Sequence, residues 1–151
     1  MTLTVAAPVA GTALRLDRVP DPVFSQLMMG PGIAIDPRVE CPDVLSPVDG
    51  VILSLHPHAF VVEAVDGRAI LVHLGLDTIE MRGAGFTLHT QVGDVVAAGQ
   101  RLMTWSPAAV QQAGYSPIVP VIALQAPAPG PTELVAAGQA VEAGAPLLDW
   151  A

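Results

Sequence analysis

The frame Gly-x-x-Val-x-Ala-Gly-x-x-Leu-x-x-Trp occurs twice in this chain, as GDVVAAGQRLMTW from Gly93 to Trp105 and as GQAVEAGAPLLDW from Gly138 to Trp150. A glycine on each side of a lone valine spells turn, short strand, turn, because glycine enters the left-handed backbone region without steric cost. A second pair of echoes lies nearer the start. Ala7-Pro8-Val9-Ala10-Gly11 precedes TALRL, and Ser46-Pro47-Val48-Asp49-Gly50 precedes VILSL. Two duplicated pairs of turn-and-strand units predict an all-β domain built from two related halves. The 14 glycines and 15 prolines work against long helices.

Two very short helices are still expected. Asp21 ahead of Pro22 is a cap followed by a proline at the first helical position, with Gly30-Pro31-Gly32 as the stop. Ser106 ahead of Pro107 repeats the pattern, and Gly114 ends it. The stretch APAPGP over 126–131 reads as a loop. With 151 residues, one domain over 1–151 is expected, large enough to bury a real core.

Most of the chemistry lies between His56 and Gly85, where three of the four histidines fall: His56, His58 and His73. FVVEAV and RAILV flank Asp66-Gly67, a strong hairpin signal because both residues tolerate the positive φ of a type I′ turn. With that two-residue turn, Val65 opposes Arg68 and the ladder runs out to Phe60 opposite His73. His58 then shares a face with His73 as a diagonal neighbour, at a Cα separation of roughly 7–8 Å. A three-residue loop, Val65-Asp66-Gly67 with a bulge at the glycine, shifts the pairing by one and puts the two histidines on opposite faces.

The charge balance removes several functions. The chain has 14 acidic residues against 6 arginines and no lysine, for a net charge of −8. Nucleic acid is excluded as a partner, since phosphate neutralisation needs clustered cations. A basic protein partner fits better. Without lysine there is no Schiff base, no P-loop and no lysine-borne swinging arm, which disposes of a biotinyl or lipoyl carrier domain. No apolar run approaches the ~20 residues of a membrane span, and no basic segment leads into an apolar one. A cytoplasmic protein without membrane insertion is expected. The single cysteine, Cys41, fits a reducing compartment and reads as inert.

LVHLGLDTIEMRGAGF (Leu71 to Phe86) resembles the segment around the phosphorylated histidine of the glucose-family enzyme IIA components of the bacterial sugar phosphotransferase system. PHAF (Pro57 to Phe60) is similar to that family's second histidine motif. AAPVAG, VPDPVF, GPGIAIDP, SPVDG, GDVVAAGQ and SPIVPVI follow in the family's order, from about Val5 to Trp150. The resemblance implies an antiparallel β-sandwich of the duplicated barrel-sandwich hybrid type. It implies that His73 takes a phosphoryl group on Nε2 from the histidine-containing phosphocarrier protein and hands it to a cysteine of a permease enzyme IIB domain. His58 would steady the phosphoryl oxygens, and Asp77 would lie at the docking rim. Phe24, Leu71, Leu74 and Ile79 would supply an apolar surround. No cofactor is implied; zinc enters only as an ion bridging His58 and His73. Where the family usually carries Thr-Asn, this chain has His56-Pro57, which adds an imidazole at the phosphate site and deletes a backbone donor.

Imidazole suits such a relay on physical grounds. Its pKa of about 6.5 keeps it partly neutral and nucleophilic near pH 7, and makes it a leaving group of matching energy. Catalysis is then positioning plus electrostatic stabilisation of the equatorial oxygens. Apolar surroundings protect the phosphohistidine from water. Two other readings use the same residues. His56-x-His58 with His73-x-x-x-Asp77 offers the ligand types of a lysostaphin-like zinc peptidase, although such enzymes carry the two motifs in the opposite order. A non-catalytic regulatory binding module is the other. His89 reads as a surface residue, and Glu63 and Asp94 as solvating charges.

Overall fold

The computed structural model describes residues 1–151. Its strands are β1 (Leu3–Ala6), β2 (Gly11–Arg15), β3 (Gly32–Pro37), β4 (Asp43–Leu45), β5 (Gly50–His56), β6 (Ala59–Glu63) and β7 (Ala69–His73). They continue as β8 (Phe86–Leu88), β9 (Val95–Val96), β10 (Arg101–Trp105), β11 (Val119–Ala123), β12 (Thr132–Glu133), β13 (Ala140–Val141) and β14 (Pro146–Trp150). Helices α1 (Pro22–Ser25) and α2 (Pro107–Gln112) run for about one and about two turns, capped by Asp21 and Ser106 as expected; α1 stops sooner than its sequence suggests, where Leu27 turns to φ 58°. No helix is long and apolar enough to cross a membrane.

Every pairing is antiparallel. Eight strands form one sheet in the order β13-β2-β3-β11-β7-β6-β5-β9, and two three-stranded sheets, β1-β14-β12 and β4-β10-β8, complete the sandwich. The duplication is written into this order. One copy of the repeated frame forms β9 and β10, the other β13 and β14. The two short strands close opposite edges of the large sheet, and the two tryptophan-ended strands form the centres of the small sheets. Gly11 faces Val141 and Gly50 faces Val96, so the two halves pair alike. Both glycines are there for close approach: a Cβ on Gly11 would meet the Asp36 carbonyl oxygen at 2.1 Å, and one on Gly50 the Glu63 carbonyl oxygen at 2.2 Å.

The main core fills the space between the sheets and includes Ile33, Ile35, Phe60, Ile70, Val72, Val119, Val121, Leu147 and Trp150. The central strands of the large sheet are buried on both faces. Leu71, Ile122 and Ala34 alternate with core residues, yet they too are covered, by Leu16, Val19 and Phe24. That segment folds over the outer face of the sheet through a 3-10 turn (Leu16–Arg18) and α1, which is why the stretches 32–35 of β3, 69–72 of β7 and 119–123 of β11 read as unbroken apolar runs.

The β6–β7 hairpin departs from the two-residue turn. Glu63 pairs with Ala69, Phe60 with Val72 and Ala59 with His73. Ala64 N donates to the Arg68 carbonyl at 2.8 Å, so Val65-Asp66-Gly67 is a three-residue loop. The reason lies in Asp66. Only Gly67 takes a positive φ, +90°, whereas a type I′ turn needs two such residues. The Asp66 carboxylate instead accepts from Arg68 N at 3.1 Å and holds its own backbone in the ordinary region. Val65, 97% exposed, gains nothing from joining the ladder.

At this end of the hairpin Arg68 gathers both chain ends. Its guanidinium donates to the Met1 carbonyl at 2.9 Å and to the Trp150 carbonyl, pairs with Asp66 at 2.8 Å, and lies 5.5 Å over the Trp150 ring. Leu3 and Trp150 are themselves paired across β1 and β14.

Candidate functional site

At the other end of the hairpin, three imidazoles gather on the outer face of the large sheet. His56 closes β5 opposite Ala59, and Ala59 lies opposite His73, the last residue of β7. Directly opposed residues of antiparallel strands project to the same side, so His56, Ala59 and His73 form one row across three strands. The small Ala59 leaves a gap in the middle of that row.

The His58 ring sits next to this gap. It belongs to the two-residue turn Pro57-His58 that joins β5 to β6, outside the pleat, and so it escapes the alternation that would have sent it to the other face. Leu74 N donates to the His58 carbonyl at 2.7 Å and ties the turn to the end of β7. Pro57 explains the geometry without needing its missing N–H: it presets φ at the first turn position, and His58 keeps an ordinary negative φ. The shifted register, expected to separate the two histidines, therefore brings them together. The rings of His58 and His73 are 5.2 Å apart and meet edge to face at 68°, and that of His56 is 5.8 Å from His58.

His73 is oriented from two sides. Its Nδ1 lies 2.5 Å from the Gly75 carbonyl oxygen, an acceptor only, so Nδ1 carries the proton and Nε2 keeps a free lone pair. Phe24, with its ring centroid 5.4 Å away, backs the imidazole. Gly75 is held in turn. Its φ is +82°, Thr78 Oγ1 donates to the Leu74 carbonyl at 2.7 Å, and Leu76 N donates to the Ser116 carbonyl at 2.9 Å. A Cβ on Gly75 would lie 2.5 Å from Thr78 Cγ2 and 2.9 Å from the Ser116 carbonyl oxygen. Gly75→Ala should therefore cost about 1–3 kcal/mol in chemical denaturation and, by moving the carbonyl that orients His73, blunt whatever Nε2 does.

Burial keeps both inner rings neutral. The pKa of His58 is pushed down from its ordinary 6.5 to about 4, first by burial and then by the charges of His73 and His56. That of His73 is also lowered by burial, against opposing pulls from the Gly75 carbonyl, Asp21 and Asp77. Groups whose pKa is depressed in the folded chain make the unfolded chain the better proton acceptor. Stability is then expected to fall as pH drops from about 6.5 towards 4. A His58→Gln variant should lose less over that interval in urea titrations at stepped pH.

The other anticipated residues divide. Ile79, 62% exposed, and Asp77, in the left-handed region at φ 59°, stand on the rim, and His56 is exposed beside them. Phe24 and Leu71 are buried: they form the floor under His73 rather than its rim. Leu74 is not part of the surround; it points into the main core. Asp21 was legible only as a helix cap, yet it also lends its charge to His73. The roomiest clefts, such as one of about 610 Å³ between Arg15, Asp17, Ser25 and Glu133, hold none of the imidazoles. No three His, Cys, Asp or Glu side chains are placed to hold a metal ion, so the peptidase reading has no centre.

Residues 3–128 match the family described as phosphoenolpyruvate-dependent sugar phosphotransferase system, EIIA 1. The chain is 43% identical over 122 residues to the PTS system glucose-specific EIIA component of Oceanobacillus iheyensis, covering 80% of this chain and 73% of that one. It is 38% identical over 146 residues to the PTS system beta-glucoside-specific EIIBCA component of Dickeya chrysanthemi, spanning 95% of this chain but 23% of that longer protein. Among solved structures, glucose permease IIA from Mycoplasma capricolum superposes with a TM-score of 0.87 at 33% identity, over 99% of this chain and 96% of that one. Fold, duplicated framework and sequence thus point one way: the chain belongs to the EIIA 1 family of the phosphoenolpyruvate-dependent sugar phosphotransferase system.

Proposed function

We propose that this phosphoryl-relay IIA protein carries its phosphoryl group on Nε2 of His73, receiving it from the histidine-containing phosphocarrier protein and delivering it to a cysteine of an enzyme IIB domain. The observation that carries the reading is the pinning of His73 Nδ1 by the Gly75 carbonyl, with a second imidazole 5.2 Å away. In the first step the Nε2 lone pair attacks phosphorus, and the bond from phosphorus to the donor's imidazole nitrogen breaks. The donor nitrogen keeps that electron pair. In the second step a cysteine thiolate attacks phosphorus, the P–Nε2 bond breaks, and His73 returns to its neutral form. His58, neutral and bearing one N–H, donates to an equatorial oxygen in both steps. Phe24 and Leu71 keep water from beneath the phosphohistidine.

The transfer uses no cofactor of its own and takes place in the cytoplasm, where the single cysteine fits. The exposed residues beside the rings, His56, Asp77 and Ile79, suit a group delivered on another protein. The fusion of EIIB and EIIC with EIIA in relatives such as the Dickeya chrysanthemi protein supports an EIIB acceptor. Incubation with phosphoenolpyruvate, enzyme I and the phosphocarrier should leave one acid-labile, base-stable phosphate on this chain. An unlabelled chain under conditions that label the phosphocarrier would overturn the reading.

A further inference from the structure

Beside the imidazoles, the segment from Asp77 to Gly85 makes a loop whose centre is a 3-10 turn (Thr78–Met81). Only four residues other than glycine take a positive φ in the whole chain, and two of them, Asp77 at 59° and Arg82 at 52°, bracket this turn. A left-handed conformation is disfavoured for a residue with a long side chain, and glycine would relieve it. Of the six arginines, Arg15, Arg38, Arg68 and Arg101 each pair with a carboxylate. Arg18 and Arg82 form no ion pair and both are exposed; Arg82 is the one of the two in the left-handed region. It is also close to the site, because the next residue, Gly83, packs against Pro57 of the histidine turn, where a Cβ would lie 3.5 Å from the proline ring.

The loop is thus bipolar. Asp77, with Asp21 near it in effect, places negative charge on the His73 side, and Arg82 places a positive charge on the His56-Pro57-His58 side, with Ile79 exposed between them. The charges that act on His73 include those of Asp21 and Asp77.

From this we infer that Arg82 is a docking-specificity residue. It pairs with an acidic side chain on the protein that docks over the histidines, while a basic group of the same partner meets Asp21 and Asp77. The inference rests on the relay reading and adds to it. A partner that is basic on one side only would fit half of this rim; the opposed signs set its orientation over His73.

The test is the rate of phosphoryl transfer from the phosphorylated phosphocarrier to wild type and to R82A, R82E, R82K and R82G at low ionic strength. Wild type must accept the label for any comparison to be made, so failure of the relay is separate from failure of this inference. Loss of an exposed pair should slow transfer about 2- to 5-fold in R82A and R82G, and reversal about 10-fold in R82E, with R82K restoring most of the rate. The differences should shrink at about 1 M salt, where the screening length is about 3 Å. R82G should unfold at or above the wild-type temperature, which separates lost docking from lost folding. R82E adds negative charge to an already acidic chain, so simple attraction to a basic partner would speed it. A rate equal to or above wild type in R82E would therefore overturn the inference. So would a shortened lifetime of isolated phosphohistidine in R82A, because that would place Arg82 on the phosphoryl group itself.

Discussion

His73→Gln is expected to take up no label at all from the phosphorylated phosphocarrier, while folding as wild type does. An amide nitrogen gives its lone pair to the adjacent carbonyl and cannot attack phosphorus. Its N–H can still reach the Gly75 carbonyl, the one partner His73 has in the folded chain. The stability change should then stay within about 1 kcal/mol, as for replacements that leave no cavity and no orphaned polar group. Two neighbouring imidazoles make this experiment demanding. His58 and His56 remain in the variant, and a label on either would show that ring proximity alone suffices. Neither has its Nδ1 tied down as His73 does, so neither presents a fixed Nε2. Mass mapping of base-stable phosphate in wild type and His73→Gln decides the matter, and any phosphate retained by the variant would sink the assignment.

The second large effect belongs to His58, and it should fall on one half of the relay. His58→Gln is expected to accept label but to pass it on at least about 100-fold more slowly to an enzyme IIB domain, the range seen when one donor to a developing charge is removed. In the proposed relay, attack on His73 would be helped by the phosphocarrier's own site, whereas release to a thiolate would lean more on the donor this chain supplies. Glutamine keeps an N–H but not the rigid ring in the turn after Pro57. Pulse-chase transfer measures it: labelled His58→Gln is mixed with unlabelled IIB domain, and the label is followed to cysteine. Onward transfer at the wild-type rate would remove His58 from the mechanism and leave it as a packing partner.

Much of this layout could be read from the residues, and the failures have physical causes. The duplicated frame and its equivalent glycines are visible because a close backbone approach admits no side chain, so the requirement is printed in the sequence itself. The helix caps are visible for a similar reason, since Asp21 and Ser106 satisfy local donors. The hairpin register was not. Whether Asp66 joins Gly67 at positive φ or folds its carboxylate back onto Arg68 N is a choice between two turns that both accept Asp-Gly, and the letters are the same either way. The site survived that error because His58 lies in a turn, where the two-residue period of a strand does not apply. Phe24 and Leu71 were expected on the surround and lie beneath it. The covering of the sheet's outer face by residues far back in the chain is a long-range event that no local pattern announces. Arg82 carried no signal of its own: its meaning depends on a backbone angle and on the packing of Gly83 against Pro57 of the histidine turn.

The clasp of Arg68 on the Met1 and Trp150 carbonyls has a consequence for how this protein can be joined to others. First and last strands run side by side and leave the sandwich together, at the far tip of the same hairpin whose near tip carries the imidazoles. Anything joined to either terminus would hang from the pole away from the imidazoles and leave that face uncovered.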